Sequence, residues 1–143
     1  MNIETDLDTT IEMITKDVAN IKKNSQELQT EALKTITNAI NLFNVYTQAD
    51  DPTVHDDELV KLKASLVNIR AQLVLSQGDI MMFKNTLLTT RDCLNFRSSL
   101  YASTKAFISS RLVTLEEQAN TLTTGNNNLL DSFDRISKVI NSL

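Results

Sequence analysis

The sequence predicts an all-α fold of long helices, arranged as an elongated antiparallel helical bundle or coiled coil, on three observations. Leu59, Leu66, Leu73, Ile80, Leu87, Leu94, Tyr101, Ile108, Leu115, Leu122, Leu129, Ile136 and Leu143 occupy every seventh position without exception. A seven-residue apolar repeat is what keeps one helical stripe turned toward a partner. The 143 residues include only two glycines and one proline, so the turns of sheets and sandwiches lack their usual material. Aromatics make up 5% with no tryptophan, whereas helical seams fill with Leu, Ile and Val.

The first helix is expected over about residues 6–47. Thr5 or Asp6 can cap its exposed N–H groups, and Asp8 and Glu12 suit the positive end of its dipole. Its seam reads Leu7, Ile11, Ile14, Val18, Ile21, Ser25 and Leu28, alternating steps of four and three. Beyond Leu28 the apolar set shifts by one residue to Leu33, Ile36, Ile40 and Phe43, the drift of a straighter helix of period 3.6. A hinge follows over about 48–57. Pro52 cannot continue a helix, it restricts Asp51 before it, and the neighbouring aspartates favour a turn and the next N-cap.

The long heptad helix is expected from about 58 to 123. Its second column starts three residues after the first, with Leu62, Ile69, Ser76 and Phe83. Late in the chain it lies four residues after, with Leu112, Ala119, Asn126, Phe133 and Ile140. Ser76-Gln77-Gly78-Asp79 offers a C-cap glycine and an N-cap aspartate, so a mild kink is admissible at Gly78. Residues 123–128 (TTGNNN) offer a turn, with Asn128 capping a short final helix over about 128–142. If the helix continues instead, Asn126 stands in an apolar seam, where a buried Asn fixes register and oligomer number. A further apolar column, Val60, Val67, Val74, Met81 and Leu88, widens the apolar arc. So wide an arc calls for more than one neighbour, placing this segment at the centre of a bundle.

Charge falls in blocks. Residues 1–59 hold twelve acidic and four basic side chains, residues 60–111 two and eight, and residues 112–143 four and two. Lys63, Arg70, Lys84, Arg91 and Lys105 share one heptad column, with Arg97 and Arg111 nearby. Seam-flanking cations cover apolar surface with their stems and meet acids on neighbouring helices. A cationic stripe also tracks phosphates, and Phe83, Phe96, Tyr101 and Phe107 interleave with it as in single-strand binders. The overall charge of −4 and the lack of a recognised module weigh against nucleic acid.

Little points to chemistry. His55 lies beside Asp56, Asp57 and Glu58, without the ordered ligand spacing of a calcium loop, and reads as a solvated helix start. Cys93, alone, forms no intramolecular disulfide and reads as a small apolar filler. Met81-Met82-Phe83 reads as packing, with partner docking as the alternative. No catalytic residue, cofactor site or metal site is expected. The acidic start MNIETDLDTT lacks a signal peptide's basic region and apolar run, and no apolar stretch is long enough to span a membrane. The expected location is the cytoplasm, or a particle assembled there.

The function expected is therefore structural: a scaffold, spacer or adaptor within a larger complex such as a viral or phage particle. Leu66, Leu73, Ile80, Leu87, Leu94, Tyr101, Ile108, Leu115 and Leu122 are expected to form a seam with a second copy or a helical partner. The rivals are a nucleic-acid-binding accessory factor using Lys63, Arg70, Lys84, Arg91, Arg97, Lys105 and Arg111, and a membrane-associated helical tether.

Overall fold

The computed structural model describes the backbone of residues 3–95 and 102–143, and within them the side chains of residues 9, 11–92 and 105–143. Three α-helices carry the described chain: α1 (Ile3–Gln48), α2 (Asp56–Asn95) and α3 (Ala102–Asn141), with a short 3-10 turn at Pro52–His55. No strand occurs among the described residues.

The α1–α2 hinge follows from local chemistry. The Asp51 side chain accepts the backbone N–H of Thr53 at 3.2 Å and its hydroxyl at 2.6 Å. Pro52 occupies the first turn, where its missing N–H costs nothing. Asp56, Asp57 and Glu58 then fill the first turn of α2, where the helix dipole favours negative charge.

The turn that residues 123–128 offered is absent. The single helix expected over 58–123 is instead two, because α2 ends at Asn95 and α3 begins at Ala102. Gly78 lies within α2 and Gly125 within α3, and neither has positive φ. The separate helix expected over 128–142 is the continuation of α3 through residues 123–128. Packing explains this. Leu122, Asn126 and Leu129 are buried on either side of Gly125, which outweighs the ~1 kcal/mol that a helical glycine costs. The Thr123 and Thr124 hydroxyls donate to the carbonyls of Ala119 and Asn120, so the threonines make no competing turn.

The chain divides into two compact units, each drawing on all three helices. One comprises Met1–Asn24 and Gln77–Thr124. Its core joins Ile11, Ile14 and Val18 of α1, Ile80, Phe83 and Leu87 of α2, and Ile108, Leu112, Leu115, Ala119 and Leu122 of α3. The other comprises Ser25–Ser76 and Gly125–Leu143. Its core joins Ala32, Ala39 and Leu42, then Leu59, Leu62, Leu66, Ile69 and Leu73, then Leu129, Phe133 and Ile140. In this second unit α2 runs opposite to α3, since Arg70 meets Asp134 while Ser76 meets Asn126.

The second unit corrects two sequence expectations. The seam of α1 does not drift after Leu28: Ala32, Thr35, Ala39 and Leu42 continue the original register and are buried. Leu33 and Ile40 are exposed, and Ile36 and Phe43 only partly buried. Two alanines suffice in α1 because Phe133 of α3 supplies bulk to the same core. Nor is the arc of α2 buried across its width. Val60, Val67 and Val74 are 66%, 72% and 47% exposed, and Met81 and Leu88 of the other unit are exposed as well.

Candidate partner-binding site

The heptad column expected to form a seam between chains lies inside this one. Leu66 and Leu73 are buried in the core of one unit, and Ile80, Leu87, Ile108, Leu115 and Leu122 in the core of the other. These side chains are covered by other segments of the same chain. The side chains of Leu94 and Tyr101 lie outside the described residues.

The basic column is largely engaged within the chain. Arg70 Nε donates to Asp134 Oδ1 at 2.8 Å. That hydrogen bond holds the Asp134 carboxyl below the ordinary aspartate range, with nearby burial opposing and the charge of Arg70 assisting; the same bond raises Arg70 further. Arg91 bonds and ion-pairs with Glu116 across α2 and α3. Arg111 donates to the Thr15 hydroxyl at 3.4 Å and lies 6.0 Å from the centre of the Phe107 ring. Lys63, Lys84 and Lys105 are half-buried, with no ion pair among the described residues. Arg97 lies outside the described residues. Of the six described cations, Arg70 and Arg91 answer carboxylates on a neighbouring helix.

His55 Nδ1 stands 3.7 Å from Glu58 Oε2, an i, i+3 contact at the start of α2. Among the described residues no group of three His, Cys, Asp or Glu side chains is placed to share a metal ion.

A polar layer crosses the unit of Ser25–Ser76 and Gly125–Leu143. Asn126, fully buried, accepts from the Ser25 hydroxyl at 3.4 Å and from Gln29 Nε2 at 3.1 Å, and its Nδ2 donates to Ser76 Oγ at 3.2 Å. All three helices meet at this one amide. Gly125 leaves the space: a Cβ there would stand 2.8 Å from Gln29 Nε2. Such a layer penalises axial slippage, since one heptad of shift would set these polar atoms against apolar groups. Ser25, Ser76 and Asn126 all interrupt apolar columns in the sequence, but that they meet in one layer depends on where α1 and α2 reverse.

What remains open is the outward face of α2. In the same unit, Val60, Ala64, Val67, Ala71 and Val74 follow one another at steps of four and three, and all are exposed. That is a second seam of coiled-coil spacing on one helix, turned away from the first. Leu75 beside it is 69% exposed. In the other unit the same two columns hold Gly78, Met81, Asn85 and Leu88, also exposed. Sequence reading found the valine column but missed Ala64 and Ala71, because alanine is neutral to a hydrophobic pattern. The signal was the alternation itself. A solvated helix face ordinarily carries charge, yet this one carries none between Val60 and Val74. Compared with protein-family models, curated proteins and solved structures, the chain matches none.

Proposed function

We propose that this chain is a non-enzymatic assembly protein, a scaffold or adaptor that holds another helical segment against the outward seam of α2. The observation that carries the reading is the charge-free series Val60, Ala64, Val67, Ala71 and Val74, exposed beside a core that is already complete. Exposed apolar side chains scattered singly need no explanation, but a row of them at seam spacing marks an interaction surface. Helix-in-groove and coiled-coil recognition both read i, i+3, i+4 and i+7 anchors of this kind.

A photo-crosslinking amino acid placed at position 67, in the chain expressed in the cells that make it, tests the proposal. It should give a discrete adduct of higher mass, while the same group at exposed Asp131 of α3 should not. No adduct from position 67, or identical adducts from both positions, would remove the reading.

A further inference from the structure

We infer that the occupant of the Val60–Val74 face is an amphipathic helix of another protein, with an apolar seam flanked by aspartate or glutamate. The inference rests on the assembly role proposed above and names the partner's chemistry. Shape gives the first half. Valines on one column and alanines on the next leave shallow holes at Ala64 and Ala71, and leucine-sized knobs from a facing helix fit such holes. The face runs for about four helical turns.

Charge gives the second half. Lys63 and Arg70 lie three residues after Val60 and Val67, so they border the valine column. Lys61 lies three residues before Ala64 and borders the alanine column. Asp134 answers Arg70, whereas Lys61 and Lys63 have no ion pair among the described residues. Between Glu58 and Asp79 the helix has no acidic residue. The valine border therefore carries Lys63 and the paired Arg70, and the alanine border carries one cation, Lys61. A second copy docking antiparallel through this face would set Lys63 beside Arg70 of the other copy, which disfavours that self-pairing. Acidic borders on the docking helix would meet both rims.

Two synthetic peptides of about three heptads test this, each with leucine at alternating three- and four-residue steps, one bordered by glutamate and the other by lysine. Fluorescence anisotropy against the full chain reads binding. The glutamate peptide should bind at least about tenfold more tightly than the lysine peptide and weaken as salt rises. Val67→Asp should lose that binding. The double change Lys61→Glu with Lys63→Glu should reverse the order of the two peptides, an outcome that loss of folding cannot produce. Equal binding of both peptides, no binding of the glutamate peptide, or an order untouched by the lysine reversal would overturn the inference. So would dimerisation of the chain, or its pelleting with phosphatidylserine vesicles, if either disappears in Val67→Asp. A chain that still crosslinks a partner from position 67 while failing the peptide test keeps its assembly role and loses only the acidic partner. Failure of both removes the role as well.

Discussion

Asn126 shows how much one side chain can specify. Its amide takes bonds from α1 and gives one to α2 while sitting in the packed seam of α3. Asn126→Ala removes those bonds and leaves a void, so a loss of about 2–4 kcal/mol is expected by denaturant unfolding. A variant within about 0.5 kcal/mol of the parent would show the layer to be incidental. Asp134 gives a pH prediction. Its carboxyl is held below the ordinary aspartate value by the hydrogen bond from Arg70. The folded state therefore binds that proton less readily than the unfolded state. The stabilisation from the pair is fully present above the ordinary value of about 3.9 and is lost as pH falls through the lowered one. Comparing Asp134→Asn with the parent from pH 6 downward should show their difference shrink below about pH 4. A constant difference would place the cause elsewhere. At this scale the sequence offered Asn126 as either a buried seam residue or a loop residue, and the structure buries it within α3. The sequence could not name Ser25, Gln29 or Ser76 as the partners of Asn126, because hydrogen-bond geometry depends on which turns come level after the chain reverses.

At the scale of the helix, α2 carries two faces of similar composition and opposite fate. The column of Leu59, Leu66 and Leu73 is buried, and that of Val60, Val67 and Val74 is not. Both are apolar at seven-residue spacing, so periodicity alone predicted burial for both. What separates them is how many neighbours exist: α1 and α3 enclose the first column, and no helix of the unit encloses the second. Adjacent residues therefore make a direct comparison. Leu66→Asp sets a charge in the core, where Leu66 is 3% exposed, and thermal unfolding should show the fold lost or strongly destabilised. Val67→Asp should melt within about 0.5 kcal/mol of the parent, because the site is solvated and valine and aspartate have similar helix propensity. Equal damage from both would show that the outward face is buried. The breaks mark another limit of local reading. Gly78 admitted a mild kink and Gly125 a turn, yet the glycine cost is only about 1 kcal/mol each and both residues lie within helices. The unbroken heptad register was the better guide there, since a loop would have reset its phase.

For the whole molecule, the all-α fold and the reversal at Pro52 were legible because each follows from short-range chemistry: a sustained period, few turn residues and one helix breaker. The division into three helices and two compact cores was not, because it depends on contacts between distant residues. Those contacts also turn the heptad column inward, so each unit closes its core with segments of a single chain. Among the described residues no helix is long and apolar enough to cross a membrane. On the proposed assembly reading, association with another protein is a property of the outward face rather than a condition of folding. Light scattering of the chain alone, over a wide concentration range at physiological salt, tests that claim most directly. The mass of one folded, helical chain is the expected result throughout, with Val67→Asp leaving it unchanged. A stable dimer or higher oligomer that Val67→Asp dissociates would contradict it.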